Sequence, residues 1–272
     1  MTDDYPHAVW RLILESHPKD GALNMATDEA LLREVAARRS PPTLRLYAWA
    51  PPAMTLGRGQ PFADANMAAL RADGVTLLRR ATGGTAVFHG DELTYSVAAT
   101  NTESRFATDV VESYRGISAA LLYALEKIDV QHAEANAHAE HRSGPRSPVC
   151  FEISSDYEIT VEKRKLFGSA QMRVKGGILQ HGTLPLTGDI ARVGDYLTTH
   201  PPAERIRARA LTLRKVLGRE VAWRDVAEAL IEGFATMLSL DLVPSPLLPD
   251  ERRLIEKLLT EKYTNDAWTG RI

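Results

Sequence analysis

Apolar and polar residues follow two different periods along the chain, and these periods predict its strands and helices. Residues 157–162 alternate with a period of two, which is typical of a half-buried strand. Residues 22–38 and 107–128 carry an apolar stripe at every third or fourth position, which predicts amphipathic helices. In the first of these helices, Asp28, Glu29 and Arg33 fall outside the stripe, so we expect them to face solvent.

The remaining segments predict an α+β fold with mixed, largely antiparallel sheets flanked by helices, since strands and helices do not alternate regularly. Further strands are predicted at residues 9–15, 44–49, 53–56, 75–80, 92–98 and 177–185, and a helix at 63–72. Residues 165–173 are expected to return as the second strand of a hairpin with 155–162. We expect one compact unit, with a core of residues 1–190 and a helical C-terminal extension of residues 191–272 packed on it.

Composition and charge exclude several classes of protein. The chain has 272 residues, of which 44% are hydrophobic and 25% charged, so it is neither disordered nor a rod. A net charge of -2 argues against a general nucleic-acid binder. No apolar run approaches the roughly 18 residues that a membrane helix needs, and the polar, acidic start is not a signal peptide. We therefore expect a cytoplasmic protein that binds neither nucleic acid nor a membrane.

The richest motif is a pair of arginines followed by a double glycine. Arg79 and Arg80 end a predicted strand, and Gly83, Gly84 and Thr85 follow. Glycines let a backbone approach a ligand closely, and their amides can meet a phosphate or a carbonyl oxygen. The spacing fits neither a P-loop nor a dinucleotide-binding fingerprint. A plain tight turn remains an equally good interpretation.

A second motif combines one lysine with small residues. Lys165 opens a segment that continues through Gly168, Ser169 and Ala170, and small side chains there leave a groove over a sheet. A lysine beside such a groove can hold an anionic or carbonyl oxygen, or act as a base if desolvation lowers its pKa. The alternative is a solvated lysine near a turn.

The histidines and the cysteine are ambiguous by themselves. His181, next to Gly182, can donate to an acyl oxygen or satisfy a buried backbone carbonyl. His138 and His141 lack a third ligand at a supporting spacing, so we predict no metal site. Cys150 is the single cysteine, which excludes an internal disulfide; by residue type alone it is a small buried hydrophobe.

Taken together, these motifs resemble the biotin/lipoate ligase and lipoyl transferase superfamily. The matching segments, in family order, are residues 24–32, 56–60, 79–89, 92–97, 165–171 and 181–184. Within the superfamily the chain is most similar to octanoyl transferases that load the glycine-cleavage H protein or other lipoyl domains. Thr85 follows the glycine pair where ligases typically have a third glycine, and Cys150 lies where those transferases keep a cysteine nucleophile.

The resemblance implies a two-step acyl relay that needs no cofactor. The Cys150 thiolate would attack octanoyl-acyl-carrier protein, and a lysine of a lipoyl-domain protein would then take the chain as an amide. Lys165 would hold the thiolate charge or accept its proton. The implied substrate-binding residues are Arg79, Gly83, Gly84, Thr85, His89, Gly168, Ser169, Ala170, His181 and Gly182. Among these, backbone amides of the glycine pair, helped by His89 or His181, would stabilise the oxyanion.

Two structural expectations follow from this implied chemistry. An apolar slot for the eight-carbon tail would be lined by Leu77, Val87, Phe167 and Ala170. In the predicted hairpin, Lys165 lies near the turn and Cys150 at the far end, about 20 Å away. We therefore expect residues 147–154 to fold back over the site as a lid.

Three alternative functions stay open. An ATP-dependent lipoate–protein ligase would use Arg79, the glycine pair and Lys165 to hold an acyl adenylate, with Cys150 incidental. A non-catalytic relative would bind octanoate without turnover. An octanoyl amidotransferase would move the chain between lipoyl domains. ATP dependence separates the ligase from both transferases, and the identity of the donor separates the transferases from each other.

Overall fold

The computed structural model describes residues 5–106, 110–135, 148–149 and 158–272. The strands in these ranges are β1 (Ala8–Leu14), β2 (Thr43–Tyr47), β3 (Ala53–Leu56), β4 (Thr76–Arg79), β5 (Val87–His89), β6 (Glu92–Thr100), β7 (Ala133–Ala135), β8 (Ile159–Val161), β9 (Arg164–Lys165), β10 (Gly168–Val174), β11 (Gly177–Pro185) and β12 (Leu240–Pro244). The helices are α1 (Gly21–Ala36), α2 (Met67–Ala72), α3 (Val110–Lys127), α4 (Ala203–Arg207), α5 (Leu213–Leu217), α6 (Trp223–Met237), α7 (Pro249–Leu258) and α8 (Asp266–Thr269). Tighter or wider helical turns occupy Phe62–Asp64, Ile190–Tyr196 and Leu259–Tyr263.

The strands form three sheets within the described ranges. The largest has the order β10-β11-β6-β2-β1-β12, with antiparallel pairs from β10 to β2 and parallel pairs from β2 to β12. A second sheet has the order β4-β3-β5, and a third the order β7-β8-β9. The predicted α+β fold with mixed, largely antiparallel sheets is confirmed.

Alternation along β6 gives the large sheet two different faces. Leu93, Tyr95 and Val97 point into the main core, where the sheet packs against α3 and α6. Thr94 and Ser96 point the other way, towards α1. The polar side chains of the sheet therefore collect on its α1 face, and the candidate site lies there.

The predicted hairpin of residues 155–162 with 165–173 is wrong. β8 pairs with β7 on one side and with the short β9 on the other, and Glu162 and Lys163 have positive φ angles in the turn between β8 and β9. Leu166 and Phe167 follow β9, and their side chains are 0% and 1% exposed in the main core. Because these two side chains are buried there, the chain leaves β8 and continues to the large sheet. There β10 pairs with β11. The expected 20 Å separation of Lys165 from the far end of a long hairpin therefore does not apply.

Helix α1 and the C-terminal extension also differ from expectation. Asp28 and Glu29 are buried, because Asp28 faces the large sheet while Lys262 and Tyr263 cover Glu29 and donate to it. Residues 191–272 contain helices α4 to α8, and they also supply β12, which pairs in parallel with β1. In the described ranges, no helix is both long enough and apolar enough to cross a membrane.

Candidate functional site

A cavity of about 370 Å³ opens where the α1 face of the large sheet meets the β4-β3-β5 sheet. Helix α1 and the segment after β2 close one side of it, and β5 closes the other. Its walls are Met25, Tyr47, Trp49, Thr55, Arg80, Val87, His89, Thr94, Gly168, Ser169, Ala170, His181, Gly182 and Thr183. Most of this surface is aromatic, aliphatic or glycine, which suits a slender apolar ligand.

The cavity exists because the edge strand of the sheet carries small residues. On β10, Gly168 and Ala170 lie opposite Thr183 and His181 of β11, and larger side chains there would fill the space. Gly182 is required for a different reason. A Cβ at this position would lie 2.4 Å from Ser169 Oγ, so only glycine lets β10 and β11 approach this closely.

The glycine pair forms a turn that Arg80 holds from the inside. Arg80 Nη2 donates to the carbonyl oxygens of Gly83 (2.7 Å) and Thr85 (2.8 Å), and Nη1 donates to Thr55 Oγ1 (3.1 Å). Gly84 has φ +88°, which favours glycine. Arg80, rather than Arg79, is therefore the arginine that meets both the cavity and the turn.

Arg79 lies away from the cavity and acts as a scaffold. Its side chain is fully buried, and Nη1 donates to the carbonyls of Gly57 (2.8 Å) and Gln60 (2.6 Å). Nε donates to the carbonyl of Thr269 (2.9 Å) in the C-terminal segment. The residue expected to bind substrate instead holds the loop of residues 57–60 against the end of the chain.

His89 lies in the cavity wall within a continuous set of hydrogen bonds. Its Nδ1 is 2.7 Å from Glu92 Oε1, and its Nε2 is 2.9 Å from Thr55 Oγ1. Its ring stacks on Trp49 at 3.8 Å. Arg80 also donates to Thr55 Oγ1, so the Thr55 hydroxyl joins the His89 ring to the Arg80 guanidinium. His89 thus links the cavity wall to Arg80 and the glycine turn.

His181 makes an equivalent link on the other side of the turn. Its Nδ1 is 3.0 Å from Asp28 Oδ2, and its Nε2 is 2.8 Å from Thr82 Oγ1, one residue before Gly83. Asp28 also accepts from Arg45 Nη1 at 2.8 Å. Burial alone would raise the pKa of Asp28, but the hydrogen bond from His181 and the charge of Arg45 outweigh it and hold that pKa below its usual value.

Sequence reasoning missed the role of Asp28, although one signal was present. Arg45 sits inside the apolar strand β2, and a buried arginine requires an acidic partner. Each ring nitrogen of His89 and His181 already has a protein partner. In this structure the two histidines therefore orient the glycine turn from its two sides.

Lys165 is buried beside the cavity without lining it. Its Nζ donates to Glu158 Oε1 at 2.5 Å. Its backbone bonds to the segment after α4, where its N–H donates to the Arg209 carbonyl (2.7 Å) and its carbonyl accepts from Leu211 (2.9 Å). The cavity wall begins three residues later, at Gly168. Lys165 and Glu158 thus form a buried pair just before the first residue of the cavity wall in sequence, and neither of them lines the cavity.

Cys150, most of the expected lid of residues 147–154, and both His138 and His141 lie outside the described residues. Pro148 and Val149 are described, and they lie against β5. Ala86 N–H donates to the Pro148 carbonyl at 2.9 Å, and the buried Val149 pairs with Ala86 in a parallel bridge. Val87, the next residue, lines the cavity. The chain therefore reaches the cavity wall immediately before Cys150.

The expected apolar slot agrees with the cavity in part. Val87 and Ala170 line it, whereas Phe167 is buried in the main core and Leu77 packs in the cluster behind the second sheet. Among the residues with described positions, no group of three histidine, cysteine or acidic side chains is placed to hold a metal ion.

Comparisons with known proteins agree on one family. Residues 20–235 match the family model described as the lipoyl protein ligase A/B catalytic domain. Octanoyltransferase LipM of Kyrpidia tusciae is 39% identical over 274 residues, 96% of this chain and 98% of that protein. Octanoyltransferase LipM of Brevibacillus brevis is 35% identical over 275 residues, 96% of this chain and 99% of that protein. In fold, the chain is similar to a putative lipoate protein ligase from T. acidophilum with bound lipoic acid, with a TM-score of 0.79 at 24% identity over 96% of this chain and 99% of that one.

Proposed function

Since the chain belongs to the lipoyl protein ligase A/B catalytic domain family, we propose that it transfers an octanoyl group through a thioester on Cys150. The donor in this proposal is octanoyl-acyl-carrier protein. The acceptor is a lysine of a lipoyl-domain protein such as the glycine-cleavage H protein, and the cell compartment is the cytoplasm. Octanoyl transfer in lipoate biosynthesis is an acyltransferase activity. It is supported by the two LipM octanoyltransferases, which are 35% and 39% identical to this chain over nearly its full length.

The cavity is the observation that carries the proposal. The cavity is partly open to solvent, and its wall combines aromatic and aliphatic side chains with the small residues Gly168 and Ala170 of β10, which suits a slender acyl chain. Burying the seven carbons beyond the carbonyl at about 0.8 kcal/mol each would give roughly 6 kcal/mol of binding. In this proposal the tail is held mainly by burial of its methylene groups.

The first chemical step is thioester exchange. The Cys150 sulfur attacks the thioester carbonyl carbon, the carbonyl oxygen becomes an oxyanion, and the carrier's sulfur leaves as a thiolate that takes a proton. A free thiol has a pKa of about 8.5, so a nearby positive charge is needed to supply thiolate at neutral pH. We assign this charge to Lys165, whose ammonium group is held by Glu158.

The turn at Gly83 and Gly84 supplies the oxyanion site in this proposal. The bridge between Val149 and Ala86 holds the chain next to the turn just before the thiol. Arg80 on one side and Thr82 on the other fix the turn, so its amides need not reorganise as charge develops. A single preorganised donor of this kind is worth about 3 kcal/mol.

The second step transfers the chain to the acceptor. The uncharged amine of the acceptor lysine attacks the carbonyl carbon of the Cys150 thioester, the carbon–sulfur bond breaks, and the sulfur leaves with the proton that the amine gives up as the amide forms. Thioester exchange is close to isoenergetic and amide formation from a thioester is downhill. The whole relay therefore needs no ATP.

The test is the intact mass of the protein after mixing with octanoyl-acyl-carrier protein, without ATP, for wild type and Cys150→Ala. An octanoyl adduct that hydroxylamine removes, and that the variant lacks, is expected. A parallel arm supplies octanoyl-H protein as donor, and faster acylation there would identify an amidotransferase. Acceptor modification that requires ATP and free octanoate, with no adduct on wild type, would overturn the proposal in favour of a ligase.

A further inference from the structure

We propose that Gln60 is a positioning residue for Cys150, because its side-chain amide holds the main chain two residues before the thiol. Gln60 belongs to a motif, residues 56–60, that the mechanism above leaves without a role. The inference rests on the proposed function, in which Cys150 carries the acyl group.

Gln60 is itself held on every side. It is 4% exposed, and its main-chain carbonyl accepts from Arg79 Nη1 at 2.6 Å. Its side-chain Oε1 accepts from the Gly57 N–H at 3.4 Å, and its Nε2 donates to Asp64 Oδ2 at 3.0 Å. A side chain bound at both polar atoms has one orientation available, so its remaining contact is fixed in space.

That remaining contact is the carbonyl oxygen of Pro148. Gln60 Nε2 donates to it at 3.2 Å, and the Ala86 N–H donates to the same oxygen at 2.9 Å. Val149, the next residue, is buried and pairs with Ala86. Two residues of chain span at most about 7 Å. Gln60 and Ala86 therefore hold the chain at Pro148, two residues before Cys150 in the sequence.

The amide is the group that this position requires. A carboxylate of the same length cannot donate to the Pro148 carbonyl and would face Asp64 across a short gap. A methionine keeps the length and most of the volume but has no donor. Gln60→Glu and Gln60→Met therefore both remove the contact, and only the first introduces a charge.

The experiment measures single-turnover acylation by octanoyl-acyl-carrier protein in wild type, Gln60→Met, Gln60→Glu and Asp64→Ala. Asp64→Ala is the matched control, since it removes one partner of Gln60 Nε2 and leaves the Pro148 contact. We expect both Gln60 variants to lose at least about tenfold in the rate at saturating donor, since a displacement near 1 Å can cost about 100-fold. The donor concentration at half-saturation should stay within about twofold of the wild-type value in both Gln60 variants. The acylation rate of Asp64→Ala should also stay within about twofold of wild type.

A second readout separates positioning from general damage. The chain has one cysteine, so iodoacetamide reports on Cys150 alone, and a small reagent does not need the thiol in a fixed place. Gln60→Met loses three side-chain hydrogen bonds and should melt below wild type. Below that melting temperature, we expect alkylation across the pH range to match wild type while acylation falls. Acylation within twofold of wild type, or a loss of acylation matched by an equal change in alkylation, would overturn the inference. If Cys150→Ala still forms the adduct, the proposed function fails separately.

Discussion

Replacing Gly57 by alanine should displace the glycine turn, and the new Cβ would also lie 3.3 Å from Arg80 Nη2. A Cβ at Gly57 would lie 1.8 Å from the Gly84 carbonyl oxygen and 2.6 Å from its carbon, where real Cβ contacts do not fall below 3.0 Å. The obstacle is backbone, so the turn must retreat by more than about 1 Å, because no flexible side chain can give way. Overpacking of this kind costs about 1–3 kcal/mol of folding free energy, or roughly 2–10 °C in melting temperature.

The functional cost should be larger than the cost in stability. If the turn amides stabilise the oxyanion, moving them by about 1 Å should slow acylation of Cys150 by about 100-fold. The assay is single-turnover acylation followed by intact mass, beside a thermal melt. Gly59→Ala is the control in the same loop, since a Cβ there meets nothing within 4 Å. Gly57→Ala that acylates within twofold of Gly59→Ala would refute the reasoning.

Three further predictions concern the cavity and its supports. Asp28→Asn should lower the free energy of unfolding by about 3 kcal/mol at neutral pH. The pKa of Asp28 in the folded protein lies below 3.8, so the difference in free energy of unfolding between wild type and variant should shrink as the pH falls below that value. Denaturant titrations over a pH series measure this difference. Ala170→Leu narrows the cavity and should shift acylation from octanoyl towards shorter acyl thioesters. An unchanged dependence of the acylation rate on chain length would mean that the acyl tail binds elsewhere. Lys165→Met should lower the stability of the fold, because it leaves the buried Glu158 carboxylate without its lysine. Lys165→Met with Glu158→Gln should regain stability but not acylation. Recovery of acylation in the double variant would remove Lys165 from the mechanism.

The elements that were predicted from sequence are those whose pattern is local. The period of two and the apolar stripes located most strands and both long N-terminal helices, and the small residues of β10 do line the cavity. Strands β5, β7 and β12 were missed, because β5 and β7 have only three residues each and β12 pairs with a strand more than 200 residues away. The wrong hairpin has the same origin, since burial of Leu166 and Phe167 in a distant core decided the path.

The same distinction between local pattern and distant packing applies to the residues of the site. Residue type and spacing selected Gly168, Ala170 and His181, which all meet at the cavity. They could not assign Arg79 and Arg80 to different tasks, because adjacent strand residues point to opposite faces and only the packing shows which face holds the cavity. Asp28 escaped notice since a carboxylate on a helix is ordinarily solvated, and its burial depends on partners from three other elements.

The bond from Arg79 to the Thr269 carbonyl has a consequence for how the protein is made. The Phe62 N–H also donates to the Ile272 carbonyl at 2.7 Å, so the loop that holds Gln60 closes against residues translated about 200 positions later. Domains fold in the order in which the ribosome delivers them. A nascent chain can build β1, α1 and β2 early, but the loop that holds Gln60 makes these contacts only after residues 269–272 have been translated. The position of this loop therefore depends on a segment far along the chain, and a product that stops before residue 269 lacks both contacts.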